Sequence, residues 1–238
     1  MTGVQTCALP IWLHVSAVQK DPRTYEHVTP ESVGNKRHIL VSDQSGRSNI
    51  LARLKLANIE VDPNDKRIGS LLDEVKSREF LGYAYDGAEA SFELLARRKL
   101  GQVPDYFDVE NFRVTVERRH NATGDLVTVS EATVKLKVGG ETFHNVATGN
   151  GPVNALDQAL RKDLGRYSAY LQDLRLVDFK VRILTGGTEA VTRVMIESAD
   201  GHGNRWSTVG VSANIMDASF EALSDSICYK LYRDGAPA

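Results

Sequence analysis

One stretch of this sequence occurs twice. Phe143-His144-Asn145-Val146 runs through Gly149-Asn150-Gly151-Pro152 into Val153-Asn154-Ala155-Leu156-Asp157-Gln158-Ala159-Leu160. Trp206-Ser207-Thr208-Val209 runs through Ser212-Ala213-Asn214 into Ile215-Met216-Asp217-Ala218-Ser219-Phe220-Glu221-Ala222-Leu223 at a constant offset. Val146 matches Val209, Ala155 matches Ala218, and Ala159-Leu160 matches Ala222-Leu223. A repeat of this kind is one supersecondary unit that buries its apolar face against its neighbour. Before each copy the apolar period is two. Phe112, Val114 and Val116 alternate with Arg113, Thr115 and Glu117, and Val134, Leu136 and Val138 with Lys135 and Lys137. Phe179, Val181 and Ile183 alternate with Lys180 and Arg182, and Val194 and Ile196 follow. Such alternation fits antiparallel sheets covered on one face. Gly139-Gly140, Gly186-Gly187 and Asp200-Gly201 supply hairpin turns. Pro152 suits the first turn of a helix. The expected fold is α+β: a pseudo-two-fold pair of βββα units over about 109–170 and 171–232. Two half-covered sheets also predict a dimer through residues 109–238.

The segments before the repeat are shorter and helical. Ile50, Leu54 and Ala57 share one helical face, after an N-cap built from Gly46 with the Ser45 and Ser48 hydroxyls. The same N–H groups could hold an anion. Ile39, Leu40 and Val41 read as a short strand. Leu71, Leu72 and Val75 open a helix that ends near Gly82. Asp86 and Glu89 have capping-box spacing, and the helix they start buries Ala88, Phe92 and Leu95. Arg97, Arg98 and Lys99 read as its solvated, dipole-complementing end, and Pro104 marks a boundary. The expected division is a non-native lead at 1–12, a connector at 13–58, a helical connector at 59–106 and a regulatory domain at 107–238. The lead resembles translated adapter read-through at a broken gene end. It has no basic region of the kind that starts a secretory signal.

Composition narrows the function. The 238 residues carry 29 Lys+Arg against 31 Asp+Glu, a formal charge of -2, so no basic field points to nucleic acid. No apolar run reaches the roughly 18 residues of a membrane helix. Cys7 and Cys228 cannot make a disulfide framework or a zinc site, which predicts a reducing, cytoplasmic setting. No dinucleotide-binding glycine pattern, Walker motif, nucleophile elbow or paired-histidine metal motif is present. The histidines at 14, 27, 38, 120, 144 and 202 are scattered, with His120 and His202 expected in exposed turns. The residues alone describe connector segments and a duplicated module without a complete active site.

The two repeated helix starts are the candidate binding site. Gly149, Asn150 and Gly151 leave backbone N–H groups uncovered, and Asn154 and Asn214 stand beside them. A helix N-terminus favours a carboxylate. Ala155 and Ala218 leave room for a small apolar side chain, so a branched amino acid carries both features. Small residues that let a helix pack closely explain the same pattern.

A resemblance extends this reading. Leu13-His14-Val15-Ser16-Ala17, Asp21-Pro22-Arg23-Thr24-Tyr25-Glu26-His27 and Pro30-Glu31-Ser32-Val33-Gly34-Asn35 resemble the isopropylmalate and homocitrate synthase superfamily, on its citramalate synthase branch. Leu40-Val41-Ser42-Asp43-Gln44-Ser45-Gly46-Arg47-Ser48-Asn49 is similar to that branch, whereas isopropylmalate synthases more often show His-Ser-Gly-Arg there. Gly82-Tyr83, Asp86 to Leu95, Gly149 to Ala155 and Trp206 to Ser212 continue the match. The resemblance implies an acyltransferase whose barrel domain, with a divalent metal, condenses acetyl-CoA with pyruvate for isoleucine synthesis. No cofactor is expected in this part of the protein. It implies a homodimer whose βββα domain binds isoleucine, or leucine in an isopropylmalate synthase. His14 matches a connector histidine that helps deprotonate the acetyl-CoA methyl group, although Trp12-Leu13 stands where the family motif has a glycine. A stand-alone amino-acid-sensing module is the remaining alternative.

Overall fold

The structure is a computed structural model that describes residues 21, 28, 30–34, 46–187 and 190–238. His14, the strand expected at 39–41 and Ser45 lie outside the described residues.

The chain divides into two compact units, the first ending at Leu81 and the second running from Gly82 to Ala238. The division differs from the expected boundaries at 58 and 106, because the segment after Gly82 packs with the repeated domain. The first unit holds a 3-10 turn at Pro30–Val33, then α1 (Arg47–Leu56) and α2 (Lys66–Leu81). Ile50 and Leu54 of α1 and Ile68, Leu71 and Val75 of α2 are buried at helical spacing. Gly46 occupies the N-cap of α1 in extended backbone, with no side-chain cap hydrogen bond. Asp65 instead performs that task for α2, accepting from the Arg67 N–H at 2.8 Å. The Arg47 guanidinium ties the two helices by donating to the Pro63 and Asp65 carbonyls.

In the second unit, α3 (Glu89–Lys99) is followed by β1 (Asp108–His120), β2 (Leu126–Val138), β3 (Glu141–Gly149) and α4 (Pro152–Lys162). After a 3-10 turn at Gly165–Leu171 come β4 (Arg175–Ile183), β5 (Thr192–Ala199), β6 (Arg205–Ser212) and α5 (Ile215–Arg233). These make two three-stranded antiparallel sheets, ordered β1-β2-β3 and β4-β5-β6. The duplication extends to irregularities. β1 shifts register between Val109 and Asn111 and β4 between Leu176 and Asp178. Phe112 then faces Val134 as Phe179 faces Ile196, and Val114 faces Ala132 as Val181 faces Val194.

Gly139 and Gly140 both have positive φ and close the β2–β3 hairpin in two residues. The β1–β2 turn, which sequence reasoning passed over, is built on Asn121, whose Oδ1 accepts from the Thr123 and Asp125 N–H groups. The core lies between the sheets and the helices α4 and α5. The inward positions of the alternating strands supply Val134, Leu136, Val194, Ile196 and Trp206, which meet Leu156, Leu160, Leu223 and Ile227 of the helices.

Three local expectations change. Asp86 sits in a 3-10 turn at Tyr85–Gly87, and Ala88 caps α3 without a side-chain bond. The Glu89 carboxylate reaches Ser207 N–H of β6 instead, a tertiary partner displacing the local one. The basic end of α3 is not simply solvated: Arg98 pairs with Asp225 at 2.7 Å, and Arg97 pairs with Glu93 and stands 4.8 Å over the Tyr232 ring. His120 ends β1 rather than lying in a turn, and His202 occupies the β5–β6 turn.

Candidate functional site

The five candidates of the first repeat come together where β3 delivers the chain to α4. Gly149 ends the strand, Asn150 and Gly151 cross the gap, and Pro152 opens the helix with its missing N–H where no partner is needed. Asn154 Oδ1 accepts from the Asn150 N–H at 3.2 Å and from Gln158 Nε2 at 2.8 Å, so this amide closes the loop onto the helix. The two glycines differ in cause. A Cβ on Gly149 would lie 2.5 Å from the Ala155 nitrogen, so the fold itself demands glycine there. A Cβ on Gly151 would meet nothing within 4 Å, and the backbone is extended, with φ -168°. Packing does not require glycine at 151, and the space beside the helix start is open.

In the second repeat Asn214 is a conventional N-cap, its Oδ1 accepting from Met216 N–H at 2.8 Å. Asp217 adds a carboxylate to that first turn. Among the described residues no hydrogen bond joins the α5 start to the α4 start. Ala155 and Ala218 are both fully buried. The Ala155 backbone lies against Gly149 and the Ala218 carbonyl against Gly210, so these alanines permit close helix–strand contact. That is the packing alternative, and it replaces the expectation that they line an open pocket. The candidate site is therefore the loop of exposed Asn150 and half-buried Gly151 with the first turn of α4, Asn214 marking its counterpart.

Sequence reasoning missed the polar network around the end of α5. Lys230, its side chain 2% exposed, lies 3.1 Å from Asp173 and 2.5 Å from Asp234. Arg233 pairs with the buried Asp200 and stands 4.8 Å over the Trp206 ring. Burial alone would raise the Asp200 carboxyl, but hydrogen bonds from Asn204 and His202 and the Arg233 charge hold it well below the usual carboxylate range. Burial pushes the Cys228 thiol up to about 12. The acids at 173 and 200 lie in loops far along the chain from the cations at 230 and 233 on α5, so no sequence signal pairs them. Among the described residues no group of three or more His, Cys, Asp or Glu could hold a metal ion, and no helix is long and apolar enough to cross a membrane.

The inner faces of the sheets are incompletely covered. Val181 and Ile183 share a face with core Val194 yet are 44% and 66% exposed, and Val116 on β1 is 54% exposed. The same apolar strip is left open on both repeats.

A duplicated βββα unit with one helix start uncapped by a side chain, the other capped by Asn214, and half-covered sheets defines a class of module rather than an active site. Residues 86–231 match the family model for the LeuA allosteric (dimerisation) domain, and residues 12–79 match that for the homocitrate synthase post-HMGL domain-like family. The chain belongs to the LeuA allosteric (dimerisation) domain family. It is 52% identical to the (R)-citramalate synthase of Geobacter sulfurreducens, over 93% of this chain and 42% of that protein. It is 50% identical to the (R)-citramalate synthase of Aquifex aeolicus over the same shares. The 2-isopropylmalate synthase of Methanocaldococcus jannaschii is 30% identical over 90% of this chain and 39% of that protein. The chain thus spans about two fifths of the length of these relatives.

Proposed function

We propose that this chain is the connector and regulatory part of an (R)-citramalate synthase, an acyltransferase that joins acetyl-CoA to pyruvate for isoleucine synthesis. The observation that carries the reading is identity of 52%, 50% and 47% to three (R)-citramalate synthases across more than nine-tenths of the chain, against 30% to the 2-isopropylmalate synthase. The regulatory domain binds isoleucine at the Asn150–Gly151 loop, where the first turn of α4, which no side chain caps, suits its carboxylate. It works as a homodimer in the cytoplasm, a second copy covering Val116, Val181 and Ile183. His14 belongs to the catalytic connector, and the divalent metal and both substrates to the barrel part of the enzyme.

The test is a calorimetric titration of the chain with isoleucine, leucine as control. Selective isoleucine binding, abolished by Gly151→Val in a variant that melts normally, supports the reading. Leucine selectivity moves the chain to the isopropylmalate branch. Binding of neither, or binding unchanged in Gly151→Val, overturns the assigned site.

A further inference from the structure

The two halves of the duplicated domain are finished differently. On the second half, α3 lies along the free edge of β6 and against α5. Three outward N–H groups of β6 meet side-chain oxygens: Glu89 accepts from Ser207 at 3.1 Å, Ser91 from Val209 at 3.0 Å, and Glu221 from Val211 at 3.2 Å. Ser91 and Arg98 both donate to the Asp225 carboxylate. The edge is thereby blunted, as exposed sheet edges need to be.

The repeat puts His144, Val146 and Thr148 of β3 where Ser207, Val209 and Val211 stand, and Gln158 and Lys162 where Glu221 and Asp225 stand. Among the described residues no helix covers this edge, and nothing accepts from those three outward N–H groups. Beside them is a cleft of about 610 Å³ lined by Val146, Thr148, Gln158, Arg161, Lys162 and Leu171. Its charge is the reverse of the filled site. Arg161 is held by Asp157, but among the described residues the exposed Lys162 ammonium meets only the Val146 carbonyl, at 2.7 Å, and no carboxylate.

We propose that this cleft is the docking site for an acidic helix of a partner protein, laid on β3 and α4 as α3 is laid on β6 and α5. The internal precedent defines its chemistry. A carboxylate caps His144 as Glu89 caps Ser207, a hydroxyl two residues on caps Val146, and an acid seven residues further meets Lys162 where Arg98 meets Asp225. Charge decides against a second copy pairing strand to strand, because that would bring two Lys162 edges together. The inference rests on the duplication and is independent of the effector and of the parent enzyme.

The probe is a helix-stapled, fluorescent peptide of residues 86–101 with Arg98→Glu, titrated against the intact chain by anisotropy. It binds, and the unaltered α3 peptide binds about tenfold more weakly, since one charge pair becomes one like-charge contact. Lys162→Glu in the chain, at an exposed position that does not threaten folding, reverses that order. In the free protein the amides of His144, Val146 and Thr148 exchange faster than those of Ser207, Val209 and Val211, and the peptide slows them. No binding by the Arg98→Glu peptide, binding indifferent to Lys162→Glu, or protection of the three amides that disappears on dilution each overturns the proposal; the last assigns the edge to a second copy.

Discussion

Gly210→Ala tests how closely the second helix is held to its sheet. A Cβ at this position would lie 2.0 Å from the Ala218 carbonyl oxygen and 3.0 Å from Glu221 Cβ. A relaxed carbon–oxygen contact is about 3.3 Å or more, so the first turn of α5 must retreat by roughly 1 Å. That turn cannot retreat alone, because Ala218, Ala222, Leu223, Ile227 and Leu231 along the same helix are buried in a close-packed core. Overpacking costs about 1–3 kcal/mol, and an obstacle made of backbone puts this change near the top, at about 3 kcal/mol. In a domain of this size that lowers the melting temperature by roughly 6–12 °C. The first repeat supplies the control. Ala147 occupies the equivalent position on β3, so a methyl group is tolerated beneath α4, whereas Gly149, two residues on, is the point of closest approach there. Ala147→Gly costs only about 1 kcal/mol, chiefly backbone entropy, and Gly151→Ala lies within about 0.5 kcal/mol of the parent. Thermal melts followed by circular dichroism, with urea titrations at fixed slope, measure all three. A Gly210→Ala protein melting within about 2 °C of the parent would refute the reasoning.

The remaining expectations concern ionisation and exposure. Because the Asp200 carboxyl is held below its unfolded value of about 3.9, its stabilisation is complete above that pH and is lost as pH falls toward the folded value. Asp200→Asn is therefore less stable at neutral pH and loses less on acidification; parallel acid profiles for the two proteins would contradict this. Cys228, with its thiol raised to about 12 by burial first of all, stays unmodified by iodoacetamide at about pH 8 until the domain unfolds, as peptide mass mapping would show. Ile183→Asp places a charge in the uncovered apolar strip and shifts the chain toward monomer in sedimentation, while an unchanged mass would remove that strip from the interface.

The βββα duplication was legible because it is written in short-range terms. Periods of two and 3.6, paired glycines at 139–140 and a proline at 152 each specify local backbone geometry without reference to anything distant. The repeated Gly149–Ala155 and Ser212–Ala218 junctions were legible for the same reason. What α3 does could not be read that way. Asp86 and Glu89 form a sound local cap on paper, yet Glu89 is taken by Ser207, more than a hundred residues away, because an unpaired strand edge is a stronger claimant than a helix end that water can satisfy. Arg98 joins Asp225 for a related reason, since burial of the helix face leaves the carboxylate needing a partner. The sequence determined that two like units exist and where each helix begins. Only the tertiary structure decided that α3 covers one unit and not the other, that Gly149 is needed for packing while Gly151 is not, and that Ala155 and Ala218 are buried. Those outcomes depend on which surfaces meet, and surfaces that meet across long stretches of chain leave no period in the sequence.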